Sequence, residues 1–494
     1  VSPPNVPREA AFDKIAFRES WDAEAQYLLL DGFSRGKHLH YDGNAIIELV
    51  DRGQRWLIDH DYLTRNTTEH NMLSVIRNGR STDLVPSCAG LVCASDAGPA
   101  IGLVTTEMLD YCGIDWRRHV FWLKGDAFVV LDRMTARKDA DYDLDLVWKV
   151  EDQGDERLVS DGEFLVRRSE FPGRTKHAQV VEAEQTTPPT EDDVANARAQ
   201  RFWIKWPDRV QPAVKRSAPK GIVVPVCKLC QRTSGPLKSG QTAEVANLLY
   251  TDETAEPGDY EIQRVADGAV LLRGKEDALC AVRGAKIDGI AFDADMLFLS
   301  PTCIAWANGR SVAIGQAQLA SADVSNLELD LSASQVTAEK ADGKPAVIEA
   351  NSLSSDAVRR LLASLAEGTT ETPTRVAAPV PAAQPVWATV LDGETPVRRL
   401  KTTDLDGDGS PEILVAAGNR GFVLETDGRI RWSYALEGIC YDLEAGELIA
   451  ESPGPEIAVA GGDTYVHLLS AKGELISKQQ IRGAVWNQNF GDRP

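Results

Sequence analysis

The chain has 494 residues, 43% of them hydrophobic, with 53 Lys+Arg against 74 Asp+Glu and a net charge of −21. Such a length and apolar content suffice for about two to four domains with real cores. The charge argues against a nucleic-acid binder and against a surface that clings to anionic membranes, so an anionic ligand would need a local reversal of charge. No apolar run approaches the ~18 residues of a membrane-spanning helix.

The chain opens VSPPNVPREA, with no methionine, no basic start and no apolar run. A signal peptide is therefore expected to be absent or already removed, and the chain to be a fragment. Up to about residue 365 the sequence reads as β. NAIIELVDRG, RWLID, HVFWLKGDAFVVLDRM and YDLDLVWKV are short segments rich in Val, Ile, Leu and aromatics, separated by turn residues. Turns recurring about every ten residues favour a large antiparallel β-sandwich over alternating β-α units. One helix is predicted over Ser355 to Gly368, with Ser and Asp at its start, apolar residues at helical spacing and Gly at its end. The Pro- and Ala-rich stretch that follows reads as a linker. The expected organisation is a sandwich domain at 1–180, its continuation with a closing helix at 181–367, a linker at 368–386 and a repeat region at 387–494.

In that last region SPEILVAAGNRGFVLETDGRIRWSY, from Ser410, is answered by GPEIAVAGGDTYVHLLSAKGELISK, from Gly454, an offset of 44 residues. Several short strands at this period predict two blades of an incomplete β-propeller. The first repeat carries DLDGDGSPE. Asp404, Asp406 and Asp408 alternate with residues that let the loop curl, Gly407 supplies a turn, and Glu412 closes it, a donor set suited to structural Ca²⁺. A plain acidic turn is the alternative. The loop resembles those of FG-GAP and integrin-type propeller repeats. The second repeat has Leu448, Ala450 and Ser452 at the aspartate positions and should bind no calcium.

Histidine is scarce, seven in all, yet GKHLHYD places His38 and His40 two apart with Asp42 beyond, and His60 and His70 follow soon after. In a strand His38, His40 and Asp42 share one face. Asp59 is expected at one strand end and His70 at the start of another, so that imidazoles and a carboxylate from three adjacent strands could enclose Zn²⁺. Exposed strand histidines with no shared task remain the other reading. Among the eight cysteines, Cys227 and Cys230 have CxxC spacing in a strand-like run with no second pair to complete a zinc site, and read as ordinary thiols. Cys88 and Cys93 are spaced to allow a disulfide in an oxidising compartment. His119, beside Arg117 and Arg118, reads as part of a surface strand, with a basic patch facing a polyanion as the alternative.

The run LLLDGFSRGKHLHYDGNAIIELVDRGQRWLIDHDYL, then TTEHNML and FVVLDRM, resembles the β-sandwich domain of heparinase II/III-like polysaccharide lyases over about Phe12 to Val150. Lys37 before His38, and Gly43-Asn44, depart from the family pattern. The resemblance implies an all-β fold of the lyase supersandwich type and cleavage of uronic-acid-containing polysaccharide by β-elimination. It implies that His40, Asp59 and His70 hold a structural zinc, that His38 serves proton transfer or neutralises the substrate carboxylate, and that Tyr62 lies near the cleft as a proton donor. Arg65 would meet a substrate carboxylate, and Asn71 would bind substrate or hold its neighbour; His60 has no counterpart. In the family an N-terminal (α/α) toroid completes the cleft; it is expected to be absent here, leaving a lyase module that lacks half its catalytic apparatus. An acidic polysaccharide partner and an extracellular or periplasmic location follow from the same reading. Two rivals stay open: a non-catalytic glycan-binding or adhesion protein, and a zinc hydrolase using Glu69 as base.

Overall fold

The computed structural model describes residues 6–22, 24–34, 41–59, 66–81, 85–152, 154–170, 198–217, 225–253, 260–321, 324–333, 335–346, 348, 350–368, 389–391, 397–449 and 454–480. The chain is almost entirely β, built of several antiparallel sheets, with one α-helix among the described residues. It divides into two compact units, 1–375 and 376–494. The predicted linker lies almost wholly outside the described residues.

Among the described residues of the first unit, an eight-stranded sheet is central. Its spatial order is Arg157–Ser160, Glu163–Glu170, Arg198–Lys205, Thr242–Asp252, Ala127–Ala136, Ile114–Leu123, Ile101–Tyr111 and Gly90–Ser95. Its central strands are mostly buried along their length because both faces are covered. Side chains alternate with period two, so Leu103, Phe121 and Leu131 pack against Val270 and Met296 of a nine-stranded sheet. Their neighbours Val104, Val120 and Val130 turn the other way, toward Trp56 and toward Trp148 and Leu229. Trp56 belongs to a four-stranded sheet (Lys14–Arg18, Tyr27–Asp31, Ile46–Asp51, Gln54–Ile58). Trp148 and Leu229 belong to a five-stranded one (Gln211–Ser217, Val226–Leu237, Ala140–Glu151, Leu73–Arg77, Arg80–Ser81). Each such side chain contributes roughly 1.5–3 kcal/mol on burial.

The far face of the nine-stranded sheet is closed by the helix Ser355–Gly368, which lays Val358, Leu361 and Leu362 against Leu271, Leu297 and Trp306. The Ser354 hydroxyl accepts the Ala357 N–H at 3.3 Å and caps its first turn. All eight cysteines are free and buried, so Cys88 and Cys93 form no disulfide. Cys227 and Cys230 lie three apart on one strand, which sends them to opposite faces.

The second unit holds two four-stranded antiparallel meanders, Val397–Thr403 to Ile430–Ala435 and Cys440–Gly446 to Leu475–Gln480. They share a core of Leu414, Val423, Leu443, Ile457 and Leu469 among others.

Candidate functional site

The strands Ile46–Asp51 and Gln54–Ile58 form a hairpin whose two turn residues, Arg52 (φ 52°) and Gly53 (φ 66°), both take positive φ, the geometry of a tight primed turn. Asp59 is the first residue past that hairpin. His70 follows a 3₁₀ turn, Thr67–Glu69, and precedes the strand Leu73–Arg77 of the five-stranded sheet. The three-adjacent-strand expectation is thus corrected: Asp59 and His70 come from different sheets, joined at their margins.

Asn71 makes the join. Its Nδ2 donates to Ile46 O at 2.8 Å and Ile58 O at 2.9 Å, and its Oδ1 accepts the Lys149 N–H at 2.5 Å. Both amide protons are used and the residue is wholly buried. Asn71 therefore ties strands together and offers nothing to a substrate, which corrects its substrate-binding reading in favour of the holding one.

His70 Nδ1 donates to Asp59 Oδ1 at 2.8 Å, the side chains being 2% and 1% exposed. Burial alone would make His70 less basic, but the charge and hydrogen bond of Asp59, with Asp42 behind it, raise its pKa above the ordinary value. Asp42 is pushed up to about 6, first by burial, with Asp31 and Asp59 adding to the rise and His70 opposing it. Asp59 Oδ2 is buried and accepts no hydrogen bond among the described residues. Lys149 Nζ lies 4.0 Å from Asp59 Oδ1 and donates to Glu69 O at 2.9 Å. Lys228 donates to the Glu69 carboxylate at 2.7 Å. Glu69 is thus held in an ion pair on a 3₁₀ turn, poorly placed to serve as a hydrolase base.

One imidazole and one carboxylate, the latter with an orphaned oxygen, supply two donors of the kind zinc accepts. Two ligands of a tetrahedral zinc at bond lengths of ~2.0–2.1 Å stand about 3.3 Å apart. Sharing zinc through Nδ1 and Oδ1 would part the pair by roughly half an ångström and displace the proton between them. His38, His40, His60, Tyr62 and Arg65 lie outside the described residues.

Beneath this pair sits a group that the sequence reading misplaced. Arg118 is 0% exposed and ion-paired with Asp132 at 2.9 Å, and His119 is buried with its Nδ1 2.8 Å from Thr105 Oγ1. The expected surface strand, or basic patch, is therefore an interior one. Of the three, only Arg117 is exposed, paired with Glu107. The available signal was a charge inside an apolar run, Asp132 in FVVLDRM, which demands a buried partner.

In the second unit, carboxylate oxygens of Asp404, Asp406 and Glu412 lie within 4.8 Å of one another. Asp404 accepts N–H groups from Gly407 (φ 75°) and Gly409 (φ 89°), glycines that give the loop its left-handed turns. Asp408 departs from the expected set, since its carboxylate accepts the Ser410 N–H at 2.7 Å and is not in the converging group. Arg431 donates to Asp406 at 3.0 Å and to Glu412 at 2.8 Å, so a guanidinium already faces two of the three carboxylates. Hard oxygen donors on a glycine-turned loop fit calcium, with Arg431 as its competitor.

No helix of the described residues is long and apolar enough to cross a membrane. No protein-family model matches the chain, and no curated protein matches it in sequence. Among solved structures it is similar to heparan sulfate lyase HepC from Pedobacter heparinus, at 16% identity and a TM-score of 0.40 over 60% of this chain and 42% of that one. It is similar also to a heparinase III, at 13% identity and a TM-score of 0.37 over 59% of this chain and 40% of that one. The chain thus spans well under half the length of either structure.

Proposed function

We propose that the first unit is the β-sandwich portion of a polysaccharide lyase acting on uronic-acid-containing polysaccharide by β-elimination. The observation that carries the reading is the buried His70–Asp59 pair, 2.8 Å apart, with the charge of Asp42 acting on His70 beside it. Elimination needs a neutralised uronate carboxylate, a base for the proton beside it and an acid for the departing glycosidic oxygen. Arg65 is assigned the carboxylate, and His38 and Tyr62 the two proton transfers. A histidine near its ordinary pKa of ~6.5 serves either direction.

Zinc would be held by His40, Asp59 and His70, and when bound it would cross-link the segments that carry them. The second unit is read as FG-GAP-like propeller repeats, calcium-binding in the first, and the protein as extracellular or periplasmic.

The test is incubation of the chain, joined to the (α/α) toroid that completes the cleft in the family, with a panel of uronate polysaccharides, following binding and the ultraviolet absorbance of an unsaturated product. Product lost in His38→Ala supports the lyase. Binding without product, unchanged in His38→Ala, moves the assignment to a glycan-binding or adhesion protein. Neither binding nor product sinks both.

A further inference from the structure

Arg118 is completely buried, and four of its five N–H groups are assigned. Nε and Nη2 donate to the two oxygens of Asp132 at 2.9 and 3.2 Å. Nη1 donates to two main-chain carbonyls, Asn44 O at 2.9 Å and Asn71 O at 3.1 Å. Those carbonyls belong to separate parts of the chain. Asn44 stands two residues past Asp42 and four past His40, while Asn71 adjoins His70. Trp116 fixes the far end by donating Nε1 to Asp132 at 2.7 Å, and the Trp116 and Trp148 rings flank the guanidinium at 4.8 and 5.8 Å.

A buried ion pair is weak evidence for stability, because desolvation of both charges offsets most of their attraction and an apolar pair of the same volume does as well. What an apolar pair cannot do is bind two carbonyls at a fixed spacing. The Asn44 segment depends on such a hold: Asn44 has φ 66°, in the left-handed region, and its Oδ1 accepts the Thr106 hydroxyl at 2.6 Å. Each segment also bonds to the rest of the margin, Asn44 N–H to Asp31 O at 2.7 Å and Ile46 N–H to Asn71 O at 3.1 Å.

We propose that Arg118, oriented by Asp132, is the positioning residue of the candidate site, its single guanidinium setting the separation between the segment that follows His40 and the segment that carries His70. In its metal-setting role the inference rests on the zinc reading; as a clamp on two chain segments it stands on the hydrogen bonds alone. Lysine at 118 would keep the charge but could not span a carboxylate and two carbonyls from one nitrogen.

The test uses the full chain as wild type, as Arg118→Lys, and as Arg118→Met combined with Asp132→Asn, which removes both buried charges should the lysine variant fail to fold. Zinc affinity is measured by competition with a chromogenic chelator, the ligand field by the visible spectrum of the cobalt-loaded chain, and local order by hydrogen exchange. The expected result in a folded variant is a 10–100-fold loss of zinc affinity, a shifted cobalt spectrum, and faster exchange confined to residues 44–46 and 71–73. Wild-type affinity and spectrum with unchanged exchange in both segments would overturn the proposal. If the wild type takes no zinc, the zinc reading falls, and the exchange comparison still decides whether Arg118 is the clamp.

Discussion

His70 Nδ1 and Asp59 Oδ1 stand 2.8 Å apart in a pocket that leaves 2% and 1% of their side chains exposed. Removing one partner of such a pair strands the other, at a cost of about 3–5 kcal/mol. Stability alone therefore says nothing about metal. Zinc content does: about one zinc per chain is expected in the wild type, by elemental analysis, and none in His70→Ala. Asp59→Asn separates two roles, since an asparagine that keeps the metal would make Asp59 the residue that orients His70, and one that loses it would make Asp59 a ligand.

His119 should set an acid limit on the fold. Its pKa is lowered to about 3, first by burial and then by the positive charges of Arg133 and Arg117. Below the ordinary value of ~6.5 the unfolded chain takes up a proton that the folded chain refuses. Stability therefore falls with pH from about 6.5 down toward 3, at up to about 1.4 kcal/mol per pH unit. His119→Asn, which has no such proton to gain, should show a flatter acid limb in melting temperature against pH.

The sandwich was legible because its evidence is local: alternating or continuous apolar runs broken by turn residues, and a helix with both ends marked. The acid loop was legible for the same reason, as four carboxylates within nine residues, of which three converge. What sequence could not give is pairing across distance. Arg118 read as surface charge because its partners, Asn44, Asn71 and Asp132, lie 74, 47 and 14 residues away. Lys149 and Lys228 went unnoticed likewise, since a lysine in a strand reads as solvated until Glu69 is seen beneath it. His70 was read as a strand start because a 3₁₀ turn of three residues leaves no periodic trace.

Asn71 separates a substrate contact from a strand tie. Asn71→Ala orphans the Lys149 N–H and takes a donor from two buried carbonyls. At about 1–3 kcal/mol per buried group left unsatisfied, the loss should exceed about 3 kcal/mol in urea denaturation. A substrate contact would instead weaken glycan binding and leave the denaturation midpoint unchanged.

Glu412 and Glu456, 44 residues apart, do the same structural work. Glu412 Oε2 accepts the Leu405 N–H at 2.7 Å, and Glu456 Oε2 accepts the N–H of Ile449, the residue equivalent to Leu405, at 2.9 Å. Both glutamates are buried, and only the first faces aspartates. Glu456→Ala should therefore destabilise the second unit by about 1–3 kcal/mol whether or not calcium is present. Calcium itself should raise the melting temperature of the wild type, by the equivalent of about 2.7 kcal/mol at a hundredfold excess over Kd. Asp404→Ala should abolish that response. Asp408→Ala should keep it, because the Asp408 carboxylate serves the Ser410 N–H. Arg431→Gln should strengthen it by removing the cation that competes for Asp406 and Glu412. A melting temperature that ignores calcium in both the wild type and Arg431→Gln would leave the loop as a turn neutralised by Arg431, with Glu412 and Glu456 as plain staples of the two repeats.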